Sequence, residues 1–181
     1  MRLWLASGSP RRRTLLTWCG WEVDVHPPDV DESRDPDHDP VTHAEHLARK
    51  KAKTIPHGRL GLAADTVVHL DGQVFDKPRD RAEAAAHLRT LSGRWHQVTT
   101  GVALQIAGAV ESFTTTTEVR FRVLSESDIS RYLATGEADD KAGAYGIQGR
   151  AAVFVAEVRG SWTNVVGLPM EAVLPRLEAA Q

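Results

Sequence analysis

The chain has 181 residues, 41% of them hydrophobic and 25% charged, a length that buries about two-thirds of the unfolded surface in one continuous unit, expected over 1–181. Lys plus Arg number 22 against 24 Asp plus Glu, for a net charge of −2, which excludes the basic character of a general nucleic-acid binder. A single cysteine, Cys19, rules out an internal disulfide and predicts a reducing, cytoplasmic setting.

The N-terminal apolar run from Leu3 to Ala6 is too short for a secretion signal or a membrane span, so a protein without a membrane partner is expected. The same run reads as a buried strand, broken by Ser7, Gly8, Ser9 and Pro10. Ser9 is an N-cap and Pro10 a first helical residue, opening a helix through Trp18. Strand, small-residue loop and helix in this order present free N–H groups to an anion. Alternation from Trp21 to His26 predicts a second strand. The Asp- and Pro-rich stretch from Pro27 to Pro40 has no periodicity and reads as an exposed loop.

Val41 to Ile55 is helical, with a basic run at Arg49, Lys50, Lys51 and Lys53, and is closed by Pro56 and Gly58. Leu60 to Leu70 is an apolar strand interrupted by Asp65 and Thr66, and Asp71-Gly72 turns it back into a strand at Gln73 to Phe75. A helix over Arg81 to Leu91 precedes two long strands, Trp95 to Ala107 and Ala109 to Leu124, paired through Gly108. Ser125 and Asp128 form a capping box for a helix to Thr135, with Gly136 as its C-cap. A strand over Val153 to Val158 and a final helix from Pro169 complete the order βαβα–ββα–ββα–βα. This is an α/β protein with a mixed sheet.

Asp65 is the sharpest chemical signal. A carboxylate inside Leu62-Ala63-Ala64-Asp65-Thr66-Val67-Val68 is costly to bury without a cation. It reads either as a turn cap or lysine partner, or as a metal ligand or general base at a strand end. Arg11, Arg12 and Arg13 at the front of a helix oppose its dipole unless an anion sits nearby, and Lys51 and Lys77 add point charges for a polyphosphate. Lys50 and Arg13 read as surface charge. Neither a Walker loop nor a Gly-x-Gly-x-x-Gly is present. His43 and His46 read as solvated, and the five tryptophans as core or interface residues. Gly143-Ala144-Tyr145-Gly146-Ile147-Gln148-Gly149 implies tight backbone geometry or close approach to a ligand, with the Gln148 amide, which both donates and accepts, as a candidate base reader, or else a flexible loop without a role.

Six ordered motifs carry a resemblance to the Maf family of nucleoside triphosphate pyrophosphatases, extending from Leu5 to about Glu171. They are Leu5-Ala6-Ser7-Gly8-Ser9-Pro10-Arg11-Arg12, Ala64-Asp65-Thr66, Lys77-Pro78-Arg79-Asp80, Leu91-Ser92-Gly93, the segment from Asp140 to Gly149, and Asn164-Val165-Val166-Gly167-Leu168-Pro169. The resemblance implies an elongated mixed β-sheet with two α/β lobes around a cleft, as in inosine triphosphatases. It implies hydrolysis between the α and β phosphates, to a monophosphate and pyrophosphate, with a divalent cation, Mg²⁺ or Mn²⁺.

The resemblance further places catalysis on Asp65, Lys51 and Lys77, metal binding on Asp65 and Glu32, and substrate binding on Ser7 and Arg11. Arg12, Thr66 and Gln148 match the dTTP/UTP subfamily and are expected to read the base, with the Thr66 hydroxyl adjusting to either hydrogen-bonding need. The expected partner is a nucleoside triphosphate, with neither nucleic acid nor membrane, and a homodimer is left open. The competing readings are a nucleotide-binding regulator of cell division and a purine-type pyrophosphatase.

Overall fold

A computed structural model describes residues 2–180. Its strands are β1 (Leu3–Ala6), β2 (Val23–Val25), β3 (Gly61–Leu70), β4 (Gln73–Phe75), β5 (Trp95–Ile106), β6 (Ala109–Phe121) and β7 (Val155–Arg159). The helices are α1 (Pro10–Trp18), α2 (Pro40–Ala52), α3 (Arg81–Leu91), α4 (Glu126–Leu133), α5 (Trp162–Val166) and α6 (Met170–Glu178). Capping follows the local sequence. Ser9, Asp39, Asp80 and Ser125 each accept a backbone N–H of the helix they open, and Ser125 and Asp128 complete the capping box.

The sheet runs β2-β1-β3-β5-β6-β7 and is mixed: β2, β1 and β3 are parallel, whereas β3, β5, β6 and β7 are antiparallel neighbours. β3 takes two partners on one edge. β1 pairs with it as far as Ala6↔Ala63, and β4 pairs from Phe75↔Val68 onward. Between them, Ala64 to Val67 have a partner strand only on the β5 side. The segments after β1 (Ser7 onward) and after β4 (Asp76 onward) both leave the sheet at this gap. A cleft therefore opens where β3 has lost one parallel neighbour and not yet gained the antiparallel one.

Alternation along the strands sets out the cores. One face of β3 and β5 carries two apolar clusters. Leu62, Ala64, Val102 and Leu104 pack with α1 and α6, whereas Val68, Val98, Val119 and Phe121 pack with α3 and α4. Thr66 and Thr100, opposite each other in register, lie on that face between the two clusters. The other face holds Ala63 and Ala103 against Ala48 and Ala52 of α2. Helix α2 lies so close to the sheet that a Cβ at Gly101 would overlap the Ala44 backbone. Only glycine admits that approach.

Four expectations need correction. Residues Arg150–Phe154 form a 3-10 turn, so the strand expected over Val153 to Val158 starts only at Val155. The short helix α5 falls in a segment with no predicted element. Asp65 sits in the middle of β3, because the strand continues beyond the end of β1 with β5 and β4 as partners. Of the five tryptophans only Trp21 is in the core, whereas Trp18 is 68% exposed.

Candidate active site

The cleft at the β3 gap has a volume of about 580 Å³ and gathers residues far apart in the chain. Ser7, Arg11, Arg12, Glu32, Lys51, Asp65, Thr66, Lys77 and Gln148 all line it, so every residue expected at the site is brought to one place. β1 and the start of α1 deliver Ser7, Arg11 and Arg12. The gap itself displays Asp65 and Thr66. Helix α2 brings Lys51, and the segment after β4 brings Lys77.

Asp65 and Thr66 are neighbours and therefore point to opposite faces of the sheet. On the α2 side, Lys51 Nζ donates to Asp65 Oδ1 at 2.7 Å and contacts Glu32 Oε1 at 2.8 Å. The Lys51 and Asp65 side chains are 7% and 13% exposed, so this is a buried ion pair, with Glu32 half exposed beside it. The lysine-partner reading of Asp65 therefore holds, and the same carboxylate lines the cleft. The second oxygen of each carboxylate has no hydrogen bond among the described residues. Lys50, read as a surface charge, donates to the Asp31 carbonyl oxygen at 2.6 Å and so holds the loop that carries Glu32.

On the opposite face the Arg12 guanidinium is buried. Its Nε donates to the Gly167 carbonyl at 2.8 Å, Nη1 to Ser7 Oγ at 2.9 Å and Nη2 to Thr66 Oγ1 at 2.9 Å. Burial lowers its pKa from the ordinary value, and the nearby Asp65 charge opposes that shift. Three of its five N–H groups are spent on the protein, and two remain for a ligand. Behind Thr66, a chain of hydroxyls and amides runs through Thr100, Asn164 and Thr117 in the space between the two apolar clusters. The Thr66 hydroxyl is therefore tied into a network, contrary to the expectation that it turns freely.

Lys77 and Gln148 are exposed at the mouth. Arg11 lies 3.9 Å from the Asp140 carboxylate. The glycine-rich loop before Gln148 is anchored by Tyr145, whose hydroxyl meets His96 Nε2 at 2.8 Å. Burial raises the Tyr145 pKa and pushes that of His96 down to about 4, so both remain neutral near pH 7.

His43 is the residue whose placement was missed. It is buried and lines the cleft, whereas His46 is exposed as expected. Spacing holds the missed signal, because His43, Leu47 and Lys51 recur at i, i+4 and i+8 and share one face of α2. Burial lowers the His43 pKa, with Asp65 and Asp76 pulling the other way.

The family model for Maf-like protein matches residues 2–180. The chain belongs to the Maf family. Within it, the dTTP/UTP pyrophosphatase of Salmonella typhimurium is 48% identical over 172 residues, covering 93% of this chain and 87% of that relative. The dTTP/UTP pyrophosphatase of Chromobacterium violaceum is 47% identical over 178 residues, covering 93% and 89%. Among solved structures, the Staphylococcus aureus Ham1 protein superposes over 100% of both chains with a TM-score of 0.55 at 12% identity. That likeness shows a shared open mixed sheet with flanking helices. No helix among the described residues is long and apolar enough to cross a membrane.

Proposed function

We propose that this chain hydrolyses nucleoside triphosphates to the monophosphate and pyrophosphate, with dTTP and UTP as the preferred substrates. The observation that carries the reading is the convergence, in one cleft, of the Lys51–Asp65 pair, Glu32, Arg11 and Lys77. The shared activity in the names of the family relatives supports it. In the reaction, water adds to phosphorus, the α–β bridging bond breaks, and pyrophosphate leaves with the bond's electrons.

That step needs charge on the phosphate oxygens neutralised and a water oriented. Arg11 and Lys77 answer the first need, since each is a cation at the cleft mouth with few protein partners. Asp65 answers the second, with an oxygen uncommitted to Lys51 available to hold a water and accept its proton. Lys51 holds Asp65 in position and balances the charge of Glu32.

A divalent cation fits this donor set. Asp65 and Glu32 both meet Lys51 Nζ, each keeps a second oxygen without a protein partner among the described residues, and hard cations such as Mg²⁺ take oxygen ligands while retaining waters. No group of three or more His, Cys, Asp or Glu side chains suited to a metal exists among the described residues, so the remaining ligands would be water and phosphate. When bound, the cation would supply charge neutralisation. Pyrophosphate release measured with Mg²⁺ or Mn²⁺ across dTTP, UTP, CTP, GTP and ATP tests the proposal. Turnover led by dTTP and UTP is expected, and no release from any of them refutes it and leaves a nucleotide-binding regulator standing.

A further inference from the structure

The polar chain between the two apolar clusters constrains where the hydroxyl hydrogen of Thr66 can lie. Arg12 Nη2 donates to Thr66 Oγ1, so this hydroxyl accepts there. Thr66 Oγ1 and Thr100 Oγ1 are 2.9 Å apart, and one of them gives its hydrogen to the other. Thr100 is fully buried and has the Asn164 carbonyl oxygen at 3.3 Å. Thr66 has the Gly167 carbonyl oxygen at 3.5 Å, an oxygen that already accepts from Arg12 Nε at 2.8 Å.

A carbonyl oxygen only accepts, and a hydroxyl owns one hydrogen and two lone pairs. Two arrangements satisfy these contacts. In one, Thr66 donates to Thr100 and Thr100 to Asn164. In the other, Thr100 donates to Thr66 and Thr66 to Gly167. Neither leaves a Thr66 hydrogen for the cleft. The first spreads the donors better, because in the second both Thr66 Oγ1 and the Gly167 oxygen, each already accepting from Arg12, would have to accept a second hydrogen. Thr66 then accepts from Arg12 and keeps one lone pair for a ligand.

We infer that Thr100 is a positioning residue for base choice: by taking the Thr66 hydrogen it makes Thr66 an acceptor only, beside Arg12, which only donates. This rests on the nucleotide substrate proposed above and on the expected placement of its base against Arg12 and Thr66. The complement of such a pair is a ring carbonyl next to a ring N–H. Uracil and thymine present O4 next to N3–H and match it. Cytosine presents N4–H₂ next to a bare N3, so donor meets donor and lone pair meets lone pair. A site left with unpaired polar groups rejects an analogue strongly. Guanine repeats the uracil pattern with O6 and N1–H, so this pair does not separate the two, and the larger ring must be refused by space.

The test is steady-state pyrophosphate release from UTP, CTP and GTP by Thr100→Val and Thr100→Ser. Valine keeps the shape but not the hydroxyl, freeing the Thr66 hydrogen to turn toward a bare N3. The ratio of kcat/KM for UTP over CTP is expected to fall about tenfold in Thr100→Val, the scale of one hydrogen bond. UTP over GTP should stay within about twofold, and Thr100→Ser should restore the first ratio. An unchanged UTP over CTP ratio in Thr100→Val overturns the inference, as does an equal fall for all three nucleotides or a Thr100→Ser enzyme that behaves like Thr100→Val. If Thr100→Val does not fold, Thr100→Ala measured the same way carries the same expectations. No pyrophosphate release from any nucleotide by the unmodified protein refutes the parent reading, and this inference with it, before any variant is made. Release that is equal for UTP and CTP in that protein overturns this inference and the proposed pyrimidine preference, and leaves the hydrolysis itself standing.

Discussion

Replacing Lys51 by Met removes the ammonium that joins Asp65 and Glu32 while keeping the buried stem. Lys51 and Asp65 are both largely buried, so truncating one partner leaves an uncompensated charge, at about 3–5 kcal/mol. The Glu32 arm is half exposed and adds at most about 1 kcal/mol. Because the cleft admits water to the stranded carboxylate, the lower end applies, about 3 kcal/mol in total. With a urea slope near 2 kcal/mol/M, the unfolding midpoint should drop by roughly 1.5 M. The double variant Lys51→Met with Asp65→Asn buries no unpaired charge and should recover at least about 2 kcal/mol of that loss. Equilibrium urea unfolding of both variants beside the unmodified protein decides the matter. A double variant as unstable as Lys51→Met alone would falsify the claim that a buried pair holds this corner of the cleft.

Three further outcomes are expected. Asp65→Asn should retain the fold, as judged by circular dichroism, and lower kcat by at least ~100-fold, the scale of a lost general base; near-normal turnover would reduce Asp65 to a partner of Lys51. Arg11→Ala and Lys77→Ala should each lose roughly 2–4 kcal/mol of transition-state stabilisation, read from kcat/KM, and a loss confined to KM would make that residue a grip on bound substrate only. His96, held neutral by burial down to a pKa of about 4, binds its proton more readily in the unfolded chain. Stability should therefore fall as pH drops from about 6.5 to about 4, by up to about 3 kcal/mol from this residue. Burial shifts His43, His69 and His87 in the same direction. In His96→Gln the slope of unfolding free energy against pH over that window should shrink, and an unchanged slope would assign the acid sensitivity elsewhere.

Elements with clear punctuation were legible in the sequence. Ser9-Pro10 opens α1 where expected, and α3 runs over Arg81–Leu91 as predicted. Errors arose where short apolar runs fit two periods. Val153 and Phe154 resemble the start of the strand that follows, yet the backbone there belongs to the 3-10 turn over Arg150–Phe154. Helix α5 has only five residues, two of them valines, so no helical period can accumulate. Its N-cap Ser161, which accepts from Asn164 N, was the available clue.

Among site residues, the acids and bases stood out because charge is conspicuous in an apolar setting. Thr100 did not, since a threonine in a long β-branched strand looks like any other strand residue. Its role depends on register with Thr66 and on a carbonyl 64 positions further along the chain. Neither fact is local. His43 was hidden by its exposed neighbour His46, whose spacing suggested a solvated pair.

The long strands β3 and β5 pass uninterrupted from one apolar cluster to the other and are hydrogen-bonded to each other from Gly61↔Gln105 to His69↔Gln97. They act mechanically as a single stiff beam beneath the cleft. Rotating one lobe against the other would have to bend that beam or shear its ladder, both far costlier than turning a flexible linker. Adaptation to an incoming nucleotide therefore falls to what hangs from the beam: the acidic loop carrying Glu32, the Lys77 segment and the exposed Gln148 side chain. The Arg12–Thr66–Thr100 contacts stay fixed in the frame, so the polarity proposed for this pair would be set before any substrate arrives.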